Sequence, residues 1–393
     1  MVPSVQYDFR SWVSTPALRI LHTTITGDGL NSHGPNRHAW ISIDLEAIRH
    51  NYRLLKKISG GNRLIAVVKA DAYGHGATEV TKALPSADAF AVTAVGEAVA
   101  LRKAGIEQKI IVLGGYIRAR ELQTCVEYQL DPVIHQQLHL DQLIEHADLD
   151  GLQVWVKIDT GMGRLGYAPA AVPGVLEQLG RVSTLGQVRM MTHLACADDV
   201  ENSMTKRQLE RVDSLKLDDY EWGIANSSGI LGWPISHRTW VRAGIALYGA
   251  NPMSNRNQAR VDLKPAMQMT TSILAVNDHS KGDLIGYSGT YACSKDMKIA
   301  VVAAGYADGY PRHKIDTARV TIHGQPCDIV GSISMDMITV DVSHLEAVNI
   351  GDEAILFGSS PEANEIADCS ETLAHEILCN VGAHTRREYL NKD

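Results

Sequence analysis

A lysine that closes an apolar run has chemistry set by its depth. In AVVKADAYGHG, from Ala66 to Gly76, Lys69 follows the run LIAVV and stands at the end of an expected strand. Burial disfavours the ammonium and lowers its pKa, and an amine so placed suits Schiff-base formation. Tyr73, four residues on, is close enough to share one side of a turn. Taken singly, Lys69 also fits a surface lysine that caps a strand, because buried lysine is rare. Other polar residues close apolar runs in the same way: Lys157 and Arg164 in KIDTGMGRLG, His193 in MTHLACAD, Ser227 in ANSSG and Arg242 in VRAGIALYG. Each has a plainer reading. KIDTGMGRLG can be a glycine-rich turn with solvated charges, and a lone histidine is more often structural than functional. AGYADGY, which holds Tyr306, reads alone as a tight turn with aromatic packing. His135 and His139 in IHQQLH have the i, i+4 spacing of metal ligands on a helix. No third ligand follows at a telling distance, so a surface helix is the preferred reading. There is no GxGxxG after a strand, no P-loop and no GxSxG elbow.

The elements that must position these residues follow from hydrophobic texture. Eight short apolar runs succeed one another: LIAVVKA, AFAVTAV, KIIVLGG, DPVIH, QVWVKID, VRMMTHLA, YEWGIANS and VRAGIALYG. Each is nearly continuous in apolar residues and precedes a helix-like stretch, which is how buried parallel strands read. Eight strand–helix units predict a closed (β/α)8 barrel, with the polar residues at the C-terminal strand ends where such barrels place their sites. Ahead of them, ISIDLEAIRHNYRLLKKI begins as an alternating run. It then places Leu45, Ile48, Tyr52, Leu55 and Ile58 at helical spacing behind Asp44 as N-cap. After about Lys264, runs such as TSILAVND, KIAVVAAGYA and MITVDVS alternate with Gly, Asp and Asn turns, and only ADCSETLAHEILCNV reads as helix. The expected organisation is a leader at 1–38, a barrel at 39–263 and a mostly-β domain at 264–393.

Composition agrees with a soluble two-domain protein: the chain has 393 residues, 45% of them hydrophobic and 21% charged. A formal net charge of -8 gives no electrostatic reason to expect nucleic acid. No apolar run approaches the roughly 18 residues that span a bilayer. Six cysteines without a CxxC pair read as free thiols in a reducing, cytoplasmic setting. MVPSVQYDFR lacks the apolar core of a secretory signal, and the Ser/Thr/Gly-rich stretch to His38, low in acids, reads as a mobile leader, with an organelle-targeting segment as the weaker reading.

Taken in order, these strings resemble the alanine racemase family, from about Trp40 to the C-terminal region. The resemblance implies pyridoxal 5'-phosphate as cofactor, carried by Lys69, and Tyr287 of LIGYSGTY as a second base on the opposite face. Two bases make the exchange of a poorly acidic α-hydrogen reversible in both directions. It also implies that Tyr73, Ser227, Gly244 and Ile245 contribute to the cofactor pocket, with His193 stacked on the ring. Arg242 would face the pyridine nitrogen and keep it unprotonated. The ring is then a weaker electron sink, which discourages transamination. Arg164 would steer the substrate, and Lys157 matches a lysine carbamylated in many members. An anionic Lys157 carbamate would hold the Arg164 guanidinium in place. Tyr306 of AAGYADGY, with Met335 and Asp336 of ISMDM, would face the barrel mouth of a second subunit, making an active homodimer with shared sites. Two departures stand out. Gly223 occupies a place where the family commonly has a histidine that supports the arginine. Ala383 and His384 occur where many members have tyrosine or serine followed by arginine. The alternatives are a racemase for serine, lysine or several amino acids, a decarboxylase of the same architecture, and a non-enzymatic cofactor-binding protein.

Overall fold

The computed structural model describes residues 37–146, 150–255, 261–313 and 317–392. The expected leader, apart from Arg37 and His38, lies outside the described residues. Each of the eight apolar runs supplies one strand of a closed parallel barrel: β2 (Arg63–Val67), β3 (Ala89–Val92), β4 (Lys109–Val112), β5 (Leu130–Ile134), β6 (Val154–Lys157), β7 (Val188–Met191), β8 (Trp222–Gly223) and β9 (Trp240–Ala243). β9 pairs back onto β2, with Arg63 opposite Trp240 and Ile65 opposite Arg242. These strands are buried on both faces, which is why their sequences are continuous in apolar residues rather than alternating. The barrel floor is tied by the buried Arg189, whose guanidinium donates to Glu221 at 2.8 Å and Gln153 at 2.9 Å.

The expected barrel boundary at residue 39 is corrected. Strand β1 (Trp40–Asp44), which precedes β2 in the chain, belongs to the second domain. It pairs antiparallel with β10 (Met267–His279) and parallel with the last strand. Its pattern gives the physical reason. Ile41 and Ile43 are buried while Trp40, Ser42 and Asp44 are half-buried, the alternation of a strand with one covered face. Asp44 then caps the helix Leu45–Ile58, accepting from the amides of Glu46 at 2.9 Å and Ala47 at 3.3 Å.

After β10 come the short hairpin β11 (Leu284–Ile285) and β12 (Tyr291–Ala292), then β13 (Met297–Val302), β14 (Arg319–Ile322), β15 (Gln325–Asp328), β16 (Ile338–Asp341), β17 (Glu353–Phe357) and β18 (Arg386–Leu390). One path through the larger sheet runs β15-β14-β17-β10-β1-β18, and β13 joins β10 to β16. The single late helix expected from ADCSETLAHEILCNV is two helices, Ala363–Cys369 and Ala374–His384. They part at Glu371, which takes a left-handed φ of 51°. Among the described residues the chain thus runs from the β-domain sheet at β1 into the barrel and returns to the same sheet, where β18 pairs with β1.

Candidate active site

Lys69 stands half-buried just past β2. Burial and then the nearby Arg164 hold its amine below the usual lysine range. The turn that follows is unusual. Ala70, Asp71, Ala72 and Tyr73 have φ of 52°, 52°, 55° and 53°. Four successive non-glycine residues in the left-handed region cost about 1–2 kcal/mol each relative to ordinary conformations. The turn is bonded within itself, Ala72 N to Val68 O at 2.9 Å and Gly76 N to Asp71 O at 2.9 Å, and Glu97 accepts from Ala70 N at 2.8 Å. Its effect is to turn Tyr73 inward, where its buried ring packs on Tyr248 at 4.9 Å and on His375 at 5.8 Å.

The Tyr73 hydroxyl points to the loops that follow the last two barrel strands. Ser227 Oγ accepts from Gly244 N at 2.8 Å and from Ala246 N at 3.3 Å. A Cβ on Gly244 would lie 2.8 Å from the Tyr73 hydroxyl and 3.7 Å from Ser227 Oγ, so the cradle exists only because residue 244 has no side chain. Backbone amides and hydroxyls converging after the seventh and eighth strands form the phosphate-binding arrangement of many such barrels. Ile245 follows directly, buried in the 3-10 turn Ile245–Tyr248.

Arg242, at the inner end of β9, is buried, and burial brings it down to about 10 without discharging it at neutral pH. Its guanidinium donates to the carbonyls of Gly223, Thr192 at 2.8 Å and Ile224 at 3.1 Å. This answers the departure at Gly223: three backbone carbonyls hold the arginine without a side chain at residue 223. The vacated volume is filled from β6, since a Cβ on Gly223 would lie 3.1 Å from the Trp155 ring. The same Nη2 that meets Thr192 and Ile224 also faces His193 Nδ1 at 3.2 Å. Burial and then Arg242 keep the His193 imidazole far below its ordinary pKa. It is therefore neutral at pH 7, with Nδ1 accepting and the proton on Nε2.

Lys157 ends β6 and is also buried. Burial, then Arg242, Arg164 and Lys69, push its amine down to about 8. Arg164 is exposed in the glycine-rich loop behind it, which folds around Asp159 as Oδ1 accepts from Gly161 N at 2.9 Å and Gly163 N at 3.1 Å. The barrel mouth therefore gathers Lys69, Tyr73, Lys157, His193, Ser227 and Arg242 into one cationic, partly dry cleft.

The β-domain candidates stand elsewhere. Tyr287 lies in the turn of the β11/β12 hairpin and is 70% exposed. Tyr306 and Met335 are 43% and 53% exposed on two turns that bind each other, Tyr306 N to Ser334 O at 3.2 Å and Ala307 N to Met335 O at 3.0 Å. Leu284, near Tyr287 in the chain, and Met337, near Met335, are also exposed, and large apolar side chains left to solvent are what a protein contact would cover. Asp336 is paired with Arg37 at 2.7 Å, and Arg37 also binds the fully buried Asp308 carboxylate. Sequence reading missed Arg37, which it assigned to the leader.

It also missed His375 and Cys379 on the helix Ala374–His384. They come within reach of Tyr73 and Lys69 from a remote part of the chain. His135 and His139 are corrected: both are buried rather than on a surface helix. His139 Nδ1 accepts from His135 N at 3.2 Å, and burial takes His139 down to about 4. Among the described residues no group of three or more His, Cys, Asp or Glu side chains is placed to hold a metal. All six cysteines are free, and no helix of the described residues is long and apolar enough to cross a membrane.

The chain is similar to two family models, the alanine racemase N-terminal domain over residues 43–252 and the alanine racemase C-terminal domain over residues 266–389. Alanine racemase of Azoarcus sp. is 41% identical over 347 residues, covering 88% of this chain and 97% of that protein. That of Thioalkalivibrio sulfidiphilus is 42% identical over 361 residues, covering 90% and 99%. Among solved structures, biosynthetic alanine racemase from Pseudomonas aeruginosa superposes with a TM-score of 0.87 at 35% identity, over 91% of this chain and 100% of that one. Alanine racemase from Bartonella henselae with covalently bound pyridoxal phosphate gives 0.81 at 26% identity, over 91% and 100%.

Proposed function

The chain belongs to the alanine racemase family, and its reaction is the interconversion of L- and D-alanine; we propose that it runs this reaction on pyridoxal 5'-phosphate with Lys69 and Tyr287 as opposed bases. The observation that carries the assignment is the cradle at Gly244. The close approach of the Tyr73 hydroxyl and Ser227 Oγ, which the missing side chain of Gly244 permits, lies at the same barrel mouth as the half-buried Lys69. These residues fit a phosphorylated pyridine aldehyde. The amides of Gly244 and Ile245, with the hydroxyls of Ser227 and Tyr73, would take the phosphate. Lys69 Nζ would hold the aldehyde carbon, and His193 would stack on the ring. Bound there, the cofactor supplies the electron-withdrawing ring that acidifies the substrate's α-hydrogen.

The chain's own residues do the rest. Arg242, fixed as a cation by three carbonyls, would face the pyridine nitrogen of a bound cofactor and keep it unprotonated, which would weaken the ring as an electron sink and disfavour transamination. Lys69 Nζ moves the α-proton on one face. Burial and then Arg164 hold its amine below the usual lysine range, which favours the free base. The Tyr287 hydroxyl moves the proton on the other face. It is supplied by a second subunit whose exposed Tyr287–Tyr306–Met335 surface covers the barrel mouth, so the active form is a homodimer. Arg164 steers the substrate carboxylate, Lys157 is carbamylated, and Met335 and Asp336 with Tyr306 line the way in. The free cysteines support a reducing, cytoplasmic setting.

Borohydride reduction of the yellow holoprotein tests the cofactor assignment. Peptide mass spectrometry is expected to find the reduced pyridoxyl group on Lys69. A modified peptide without Lys69, or none, overturns it. A panel of L-amino acids followed by chiral chromatography is expected to show alanine as the best substrate.

A further inference from the structure

The left-handed turn after Lys69 is pressed into shape by the far end of the chain. Gly74 and Gly382 meet back to back. A Cβ on Gly382 would overlap the Cα and carbonyl oxygen of Gly74, and a Cβ on Gly74 would overlap the Leu378 carbonyl. Two residues further on, the Tyr389 hydroxyl occupies the side-chain place of Gly76. Between these contacts stands Arg387 on β18. Its Nη1 pairs with Asp71 Oδ2 at 2.6 Å, inside the left-handed stretch, and its Nη2 donates to the Gly382 carbonyl at 2.6 Å. One guanidinium thus joins the turn, the end of the helix Ala374–His384 and the final strand. β18 is itself held in register by β1, with Ile41 opposite Arg387 and Ile43 opposite Tyr389.

We propose that Arg387 is a positioning residue for Lys69, locking the left-handed turn so that the divergent C-terminal segment GAHTRREYL sets the orientation of the catalytic lysine. The proposal rests on the role assigned to Lys69 above. Four left-handed residues relax toward ordinary conformations if the outside contacts loosen. Lys69 begins the turn and Tyr73 ends it, so both sides of the cofactor cradle would move together. Asp71 bonds to Arg387 and to the Ala77 amide, and Arg387 to Asp71 and the Gly382 carbonyl, so their effect would reach the site through the turn.

The test compares full-length Arg387→Ala, Arg387→Lys, Asp71→Asn and the Asp71→Asn/Arg387→Ala double variant. Hydrogen exchange in the peptide Ala66–Gly76 reads the turn whether or not cofactor is attached. Cofactor release, visible absorbance and the kcat and KM for alanine read the site. Expected for Arg387→Ala are faster exchange confined to this peptide and its C-terminal contacts, and cofactor release about tenfold faster. kcat should fall about tenfold with KM little changed. Asp71→Asn should match it, the double variant should be no worse than either, and Arg387→Lys should recover most of the loss. Unchanged exchange in Ala66–Gly76, additive losses in the double variant, or failure of Arg387→Lys to recover overturns the proposal. Should Arg387→Ala fail to fold, Asp71→Asn alone decides: unchanged exchange and kcat overturn it as well. A wild-type protein that carries no cofactor on Lys69 while exchange still responds to Arg387 would instead sink the assignment of Lys69 and leave the clamp standing.

Discussion

A lysine amine adds carbon dioxide only while it is neutral, so the state of Lys157 is tied to pH more directly than that of any other residue in the cleft. Its folded pKa, about 8, is depressed from 10.5 by burial and by Arg242, Arg164 and Lys69. The neutral fraction therefore rises as pH climbs through about 8. Each of the three cations that oppose an ammonium there would favour a carbamate anion in its place. With 13C-bicarbonate, a carbamate resonance is expected to be stronger at about pH 8.5, roughly half a unit above the amine's pKa, than at about pH 6.5, well below it. It should vanish in Lys157→Ala. A resonance independent of pH, or one that survives the substitution, counts against carbamylation. The two proposed bases separate in the same residue-by-residue way. In Tyr287→Phe, Lys69 should still exchange the α-hydrogen of D-alanine with heavy water, while exchange from L-alanine should fall about 10²–10⁴-fold. Equal losses, or faster exchange from L-alanine, would point to a single base serving both faces. The half-burial of Lys69 was legible in the sequence because it follows from one local run of apolar residues. The support of Arg242 was not, because it comes from carbonyls of three residues whose identities carry no signal, and from Trp155 filling the space at Gly223.

At the scale of elements, a strand covered on both faces announces itself by continuous apolar residues, and all eight barrel strands were readable on that ground. Strand β1 had a different signature, alternation. What alternation cannot reveal is the partner, and β1 pairs with residues 267–270 and 386–390 far along the chain. The left-handed turn is hidden for a similar reason. Nothing in KADAY asks for positive φ, and contacts with residues 378–389 impose it. The same non-local logic governs the two β-domain turns that carry Tyr306 and Met335. Arg37 reaches both, binding the buried Asp308 and the half-exposed Asp336. Asp308 also accepts from Gly305 N at 2.9 Å, so its charge keeps one backbone partner when the arginine is removed. Arg37→Ala is therefore expected to cost about 2 kcal/mol, the scale of a buried charge that loses its ionic partner but not every hydrogen bond. Thermal unfolding of the variant should shift down accordingly, and Arg37→Lys should restore only part, since a single ammonium cannot reproduce the fork that spans both carboxylates. An unchanged unfolding midpoint in Arg37→Ala would mean the two turns hold each other without it.

The whole molecule poses a geometric question that one chain does not answer by itself. Lys69 is half-buried in a cleft, whereas Tyr287 is 70% exposed on a hairpin of the β-domain, amid Leu284, Tyr306, Met335 and Met337. An apolar surface of that kind is stabilised by a partner, and a two-fold dimer would set each hairpin against the other chain's cleft. Each site would then be composite, with Lys69 from one protomer and Tyr287 from the other. Complementation separates this arrangement from a site built within one chain. Lys69→Ala and Tyr287→Phe are each expected to be inactive as homodimers. In a mixed dimer, one site inherits both defects and the other inherits neither. After full exchange of equal amounts, about half the dimers are mixed and half of their sites are intact, so about a quarter of wild-type activity should return. A site contained within a single chain would recover nothing, because every chain in the mixture carries one lesion. Native mass spectrometry must show the heterodimer before the assay is read. Heterodimers without recovered activity would place Tyr287 outside the shared site, whereas recovery near a quarter, lost again on dilution below the dimer's dissociation constant, requires the two bases to come from different chains.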